Sequence, residues 1–363
     1  MPHPPRELGW DLGGRELGLV LAEARLHGGR SLGGDAWARF RRDWSAVGAL
    51  AFLLLLSLGS LLAPLLPLPS PTTMHLRNAL AEPVAPWELP FDYAYSGEHP
   101  GLNRIDALLV KVRGKVFGNR QTGPWMGTDS KGRDLFARMV WGSRTSILVA
   151  LAAALTSLAI GVTYGALSGL VGGRTDRLMM RAVDVLQSLP FIFVVIFVLA
   201  LLNAPRDDLA SRPLVGRQTV LFVVIGAVWW LTMARVVRGQ VLSLRAAPFV
   251  QSARAMGASH AHVLRVHVLP NVLSIVVVYL TLTIPAVMLF EAFLSFLGLG
   301  VASPGVSWGI LAADGVDAIH PLKVSWWLVA FPALAMGSTL FALNLIGDGL
   351  RDALDLRGAG AGA

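Results

Sequence analysis

The chain has 363 residues, of which 54% are hydrophobic and only 15% are charged, a balance typical of membrane proteins rather than of soluble domains. It contains no cysteine, which excludes disulfides, thiolate metal sites and cysteine nucleophiles. The net charge of +8 does not indicate nucleic acid as a partner, because basic residues of membrane proteins concentrate in the loops beside the bilayer.

The N-terminal arm, residues 1–45, is polar and rich in Gly and Arg up to residues 35–44, which read DAWARFRRDW. On a helix Trp37, Phe40 and Trp44 would share one face, and arginines would occupy the rest. This pattern predicts an interfacial helix that lies along anionic headgroups, with a plain basic flank as the alternative.

Six runs without Lys, Arg, Asp or Glu predict an all-α, polytopic membrane protein with six transmembrane helices. Five runs reach the roughly 20 residues that a helix needs to cross about 30 Å of hydrocarbon. The fourth run has 17 residues, but the arginines on either side of it can snorkel outward. The runs are residues 44–76, 145–173, 185–205, 218–234, 268–290 and 324–347.

These runs divide the chain into a first transmembrane helix at 46–68, an extracytoplasmic segment at 69–143, a five-helix core at 144–348 and a C-terminal tail at 349–363. Short loops on the side of the N-terminus carry ten Lys and Arg residues, against four on the opposite side. The positive-inside rule therefore predicts that both chain ends are cytoplasmic.

Two acidic residues, Asp184 and Glu291, lie at the ends of predicted spans. Charge at membrane depth is costly, so both are candidate functional residues. For each, three interpretations stay open: pairing with a neighbouring helix, lining a substrate path, or simple hydration. An ion-coupled secondary transporter would need such acids near the middle of the bilayer, which disfavours that class.

Motifs for enzymatic chemistry are absent from the sequence. Gly114-Lys115 lacks the residues that a phosphate-binding P-loop needs on both sides, so the chain does not hydrolyse ATP by that route. Helical spacing separates His260, His262 and His267 too far for one metal ion. We therefore expect no metal and no other cofactor, and a membrane enzyme lacks a convergent catalytic set.

The predicted cytoplasmic loop 236–270 contains QSARAMGASHAHVLRVHVLPN, which begins at Gln251. We predict a short helix that ends at Gly257 in a left-handed conformation, a helix cap at Ser259 and a helix start at Pro270. Joined rigidly to the next span, such a helix can transmit motion from a cytoplasmic partner to the transmembrane bundle. The candidate coupling residues are Val250, Gln251, Ser252, Ala253, Arg254, Ala255, Met256, Gly257, Ala258, Ser259, Leu269 and Pro270.

This loop resembles the EAA loop of binding-protein-dependent ABC importer permeases, which has Glu-Ala-Ala, three residues, Gly and then an Ile/Leu-Pro pair. Gln251 and Ser252 stand where Glu and Ala are usual. The matching residues are Ala253, Gly257, Leu269, Pro270 and Asn271.

Three further segments are similar to the C-type permease subunit of oligopeptide and dipeptide importers. They are residues 126–149 (MGTDSKGRDLFARMVWGSRTSILV), 290–309 (FEAFLSFLGLGVASPGVSWG) and 344–357 (NLIGDGLRDALDLR), and residues 35–48 match the N-terminal entry of that subunit. The stretch 102–125 is longer than the family usually carries.

The resemblance implies a type I ABC importer permease fold in a bacterial inner membrane, with ATP hydrolysis in other subunits. Besides bilayer lipid, the implied partners are a homologous B-type permease, two cytoplasmic ABC ATPases and an extracytoplasmic peptide-binding protein. The implied cargo is oligopeptides or dipeptides. Similar permeases handle nickel chelates, glutathione or antimicrobial peptides, so these cargoes stay open.

Overall fold

The computed structural model describes residues 32–84, 104–118, 122–203, 217–301, 305–320 and 324–354. Most of these residues are helical and none forms a β-strand, in agreement with the predicted all-α class. The helices are α1 (Leu32–Phe40), α2 (Trp44–Leu61), α3 (Arg104–Phe117), α4 (Leu135–Val171), α5 (Gly173–Ser188), α6 (Phe191–Asn203), α7 (Arg217–Arg245), α8 (Pro248–Ala255), α9 (Leu269–Phe296), α10 (Trp308–Asp317) and α11 (Trp327–Leu354).

Four helices are long and apolar enough to cross a membrane, by length and composition alone. Three of them are α2, α4 and α11, and the fourth is the continuous helical stretch Val263–Phe296, most of which is α9. The number of candidate spans rises to five if α5 and the start of α6 are taken together as one bent span. The helix over the fourth predicted run, α7, has 29 residues and contains Arg235 and Arg238.

The third predicted run does not form one straight helix. It begins within α5, which ends at Ser188, and continues in α6 after Leu189 and Pro190, with an angle of 76° between the two helices. Proline lacks an N–H group and disfavours helical geometry at the residue before it, and Leu189 is accordingly extended. The bend separates the amphipathic α5 from the apolar α6.

The two N-terminal helices form an elbow that packs on α11. Asp43 caps α2, and its carboxylate accepts the backbone N–H groups of the first turn. Phe40, the last residue of α1, is buried beside Gly349 of α11. A Cβ atom on Gly349 would lie 2.5 Å from Cβ of Ala46, so only glycine allows this close contact.

The prediction that Trp37, Phe40 and Trp44 share one face is wrong for Trp44, because α1 ends at Phe40 and Trp44 begins α2. The rings of Trp37 and Phe40 stack, with their centroids 5.8 Å apart. Phe40 faces the protein, whereas Trp37 and Trp44 belong to different helices and are 53% and 89% exposed. Arg41 and Arg42, in the turn between the helices, are also exposed. The interfacial role of this elbow stays a prediction.

Helices α4 and α7 form the most extensive helix pair of the described chain. Gly161, Gly165 and Gly169 recur every four residues on the face of α4 that meets α7. A Cβ atom on Gly165 would lie 2.3 Å from the carbonyl oxygen of Ala234, and one on Gly161 would lie 2.6 Å from Cβ of Met233. Small residues let membrane helices approach this closely, so the two backbones are in direct contact.

Ion pairs bind the N-terminal end of α4 to α10. Arg138 of α4 is buried and donates to Asp129 at 2.6 Å and to Asp314 of α10 at 2.9 Å. Arg133 contacts the same two carboxylates, at 2.6 and 3.2 Å. The loop before α4 is thereby fixed to the C-terminal part of the chain.

We expect Gly165→Ala to lower the unfolding midpoint of the purified protein in detergent. The added methyl group must displace the Ala234 carbonyl, and overpacking of this kind costs about 1–3 kcal/mol. Gly337→Ala, in α11, is the matched control, because nothing lies within 4 Å of its added Cβ atom. Equal midpoints for the two variants would contradict the proposed close packing of α4 on α7.

Candidate functional site

The segment after α7 begins with the short helix α8, which Pro248 starts and Gly257 ends. Gly257 has φ of +88° and donates its N–H to the carbonyl of Arg254 at 2.9 Å. The N–H of Ala258 donates to the carbonyl of Ala253 at 3.0 Å, which completes a helix end of the Schellman type. Gly257 therefore ends α8 in the left-handed conformation, as the sequence predicts.

One face of α8 is anchored in a buried cluster of valines. Val250 and Ala253 of α8 pack there with Val241 of α7 and with Val263 and Val268, which precede α9. All five residues are buried. Because close-packed interiors transmit displacement, α8 cannot shift without moving the adjoining ends of α7 and α9.

The opposite face of α8 is exposed to solvent. Gln251, Ser252 and Ala255 lie on it, and Phe249 and Met256 add exposed apolar side chains, Met256 at 83% exposure. Exposed apolar groups rimmed by polar residues are typical of a contact surface for another protein. We call the exposed residues of 248–259 the outer face.

Arg254 lies between the anchored face and the outer face. Its Nε and Nη2 atoms are shielded from solvent, and no acceptor among the described residues bonds to them. Buried donors normally have partners, since an unmade hydrogen bond costs roughly 1–3 kcal/mol. Two donors of this partly buried side chain therefore lack an acceptor within the described chain.

The helical course resumes directly after Ser259. Its hydroxyl accepts the backbone N–H of His262 at 3.2 Å, as expected of a helix cap. From His260 the backbone runs without interruption into α9. The predicted helix start at Pro270 is confirmed in part, because Pro270 lies in the first turn of α9. No break precedes it, since a π-helix leads directly into α9.

A wide turn accommodates Pro270 within this continuous helix. Residues Val263–Val268 form a π-helix, and the N–H of Leu269 donates to the carbonyl of Leu264, five residues back. Proline in a regular α-helix has no N–H to donate, and its ring collides with the carbonyl four residues before it. The altered hydrogen-bond spacing relieves that collision, so the helical course that begins at His260 continues through Pro270.

Asp184 of α5 pairs with Arg235 of α7, and both side chains are exposed. A second ion pair joins the same helices: Arg238 Nη2 donates to Asp176 Oδ2 at 2.6 Å, and the Ser168 hydroxyl of α4 also donates to Asp176. Sequence reasoning missed Asp176, although two arginines one turn apart on α7 indicate partners for both acids of α5.

Glu291 of α9 is 1% exposed. It accepts the hydroxyl hydrogen of Ser295 at 2.8 Å, and the hydroxyl groups of Ser146 and Ser307 also bond to it. Ser146 belongs to α4, and Ser307 caps α10. In this structure both predicted acids therefore contact neighbouring elements, and a role of either in a substrate path stays a prediction.

Two cavities that the sequence did not indicate adjoin α7. A cavity of about 420 Å³ lies between α6 and α7, and one of about 130 Å³ lies between α7 and α9. Trp229 and Thr232 line both cavities. The walls are mainly apolar with a few hydroxyl and amide groups, among them Gln187, Tyr279 and Thr283, which suits an amphipathic small molecule.

Two family models match the chain. Residues 161–358 match the family described as "Binding-protein-dependent transport system inner membrane component". Residues 31–83 match the family described as "N-terminal TM domain of oligopeptide transport permease C". The two matches include the elbow, α7, α8 and α9.

Curated proteins are similar over most of the chain. The oligopeptide transport system permease protein OppC of Haemophilus influenzae is 41% identical over 92% of this chain and 91% of its own length. The OppC protein of Escherichia coli K12 is 40% identical over 90% of this chain and 92% of its own length. The dipeptide transport system permease protein DppC of Bacillus subtilis is 37% identical over 88% of this chain and 84% of its own length.

We expect Glu291→Ala to lower the unfolding midpoint markedly and Asp184→Ala to lower it little. The first variant leaves buried hydroxyl groups without their acceptor, at roughly 1–3 kcal/mol per group. The second removes an exposed ion pair, which contributes about 0–1 kcal/mol. Thermal unfolding of both variants in the same detergent tests the difference. A larger effect from Asp184→Ala would contradict this assignment.

Proposed function

Because the chain belongs to the family of binding-protein-dependent transport system inner membrane components, we propose that its six charge-free runs form six membrane-spanning helices with both chain ends in the cytoplasm. The chain is a permease subunit of an ABC importer in a bacterial inner membrane. In the proposed arrangement, α5 with α6 supplies the third span and α7 supplies the fourth. The arm, residues 1–45, the loop 236–270 and the tail, residues 349–363, are cytoplasmic, and residues 69–143 lie outside.

We further propose that the outer face of α8 binds a cytoplasmic ABC ATPase. The observation that carries this proposal is the division of α8 into an anchored face and an exposed one. Arg254 supports it, because two of its donors lack an acceptor within the described chain. The side chain is only partly buried, so it can turn outward to a carboxylate or carbonyl group on the ATPase. Gln251 is exposed on the same face, and its side-chain amide donates to the Ala246 carbonyl at 3.2 Å. It adds no charge to this surface.

The mechanism that follows is mechanical rather than catalytic. ATP binding closes the two ATPase subunits, and each moves the α8 helix of the permease that it contacts. In this chain the valine cluster passes that motion to α7 and α9, and the glycine contact passes it from α7 to α4. The bundle then turns from inward-facing to outward-facing, while ATP hydrolysis stays in the partner subunits.

The proposed cargo is a short peptide, as the names of the similar permeases indicate. A homologous B-type permease completes the passage, and an extracytoplasmic binding protein delivers the peptide. The two cavities beside Trp229 and Thr232 are candidates for part of that passage, because a peptide presents both amide and apolar groups. Nickel chelates or glutathione in the same passage would require a different binding protein.

Orientation can be measured with single cysteines, because the chain has none of its own. Ser259 and Ser130 are both exposed and lie on opposite sides of the membrane in the proposed topology. We expect a membrane-impermeant maleimide to label Ser130→Cys in intact cells and Ser259→Cys only after the cells are opened. The reverse pattern would contradict the proposed orientation and the coupling role of α8.

We expect Gly257→Val to reduce peptide uptake at least tenfold while the protein remains in the membrane. A β-branched residue at positive φ costs more than about 1 kcal/mol, so the end of α8 must rearrange and its outer face is displaced. Nothing lies within 4 Å of the added Cβ atom, so packing is not the cause. ATPase activity should no longer respond to the binding protein.

Gly118→Val is the matched control. Gly118 also has positive φ, +59°, and nothing lies within 4 Å of its added Cβ atom, but it follows α3, far along the chain from α8. It imposes a similar backbone strain without touching the outer face. Normal uptake by Gly257→Val, or an equal loss in both variants, would show that α8 is not the coupling element.

A further inference from the structure

Helix α3 lies in the stretch 102–125, and one of its faces is buried against the rest of the chain. Asp106, Val110 and Arg113 occupy this face at helical spacing, and all three are buried. Two of them are charged, so the attachment depends on polar bonds as well as on apolar contact. The orientation of the helix about its own axis is thereby fixed.

The polar bonds tie α3 to the points where two membrane helices end. Asp106 receives two hydrogen bonds of 3.0 Å from Arg144, the residue directly before the charge-free run of α4. Arg113 donates at 2.8 Å to the carbonyl of Leu68, in the segment that follows α2. Both α2 and α4 therefore leave the hydrocarbon close to α3, which places α3 at the level of the membrane surface.

A second face of α3 is apolar and exposed. Ile105, Leu108, Val112 and Val116 are spaced by three, four and four residues, so they line up along one face, with exposures of 69, 61, 41 and 66%. Within the described chain nothing covers this stripe. Its length matches that of the 14-residue helix, about 21 Å at 1.5 Å per residue.

A third face of α3 is basic. Lys111 and Lys115 are exposed, lie one helical turn apart and adjoin the apolar stripe. An apolar stripe flanked by lysines is the pattern of helices that lie in the plane of a membrane interface. Next to α3, the guanidinium of Arg144 lies 5.5 Å from the ring of Trp141, a pair of residue types common at this depth.

We propose that α3 is a membrane-surface helix that inserts Ile105, Leu108, Val112 and Val116 among lipid acyl chains. Lys111 and Lys115 then bind the phosphate groups of anionic lipids. The attachments at Leu68 and Arg144 favour lipid over a soluble partner, because they hold the stripe where the two spans meet the headgroups. This inference requires only that α2 and α4 cross the membrane, so it does not depend on the proposed orientation or cargo.

Spin labels on single cysteines can test the insertion in the full-length protein. Leu108→Cys and Val112→Cys report on the apolar face, and Lys111→Cys is the control on the basic face of the same helix. The protein is reconstituted into vesicles of phosphatidylethanolamine and phosphatidylglycerol. Power saturation then compares exposure to oxygen, which concentrates in lipid, with exposure to a water-soluble nickel complex.

We expect an oxygen-to-nickel accessibility ratio at least about threefold higher at positions 108 and 112 than at 111, because such helices bury their apolar face about 5–10 Å deep. In phosphatidylcholine vesicles, which lack net negative charge, the ratio at 108 should fall. Equal ratios at the three positions would mean that the stripe is in water. Shielding of 108 and 112 from both reagents would mean that protein covers it. Either result would overturn the proposal.

Discussion

Direct backbone contact between α4 and α7 is the constraint on which the rest of this structure depends. Glycine every fourth residue on α4 removes the side chains that would hold the two helices apart. The other elements attach to this pair: α5 through its ion pairs with α7 and the Ser168 hydroxyl, and α10 through Arg138 near the start of α4. In the proposed mechanism, motion that enters through α8 passes from α7 to α4 across this contact.

The sequence predicts the features of the fold that depend on the chemistry of single residues. Charge-free runs indicate membrane helices because desolvation opposes burying a charge wherever it sits in the chain. Gly257 indicates a helix end because its backbone freedom is local. The burial of Phe40 depends instead on packing against Gly349, and the glycines of α4 matter only because α7 lies against them. Such contacts join residues that are distant in sequence.

The candidate site also combines features that the sequence indicates with features that only the folded structure reveals. Asp184 and Glu291 attract attention because of their positions at the ends of spans. Apart from Ser295, one turn after Glu291, their partners come from other elements of the fold. The hydroxyl of Ser146 comes from a different helix, and Arg235 comes from the far side of a proline bend. The proposed coupling segment is recognisable in the sequence because its glycine, proline and small residues lie close together in the chain. The unpartnered state of Arg254 appears only when the surrounding chain is folded.

The π-turn before Pro270 makes the number of residues in this segment as important as their identity. A π-helix turns the chain by less per residue than the roughly 100° of an α-helix, because its hydrogen bonds span five residues rather than four. The residues Val263–Val268 therefore turn the chain about as far as one residue fewer would in a regular α-helix. Without the wide turn, the same number of residues would rotate α8 by about 100° relative to α9, and Val250 would point away from its cluster. The wide turn thus takes up one additional residue while α8 keeps its direction.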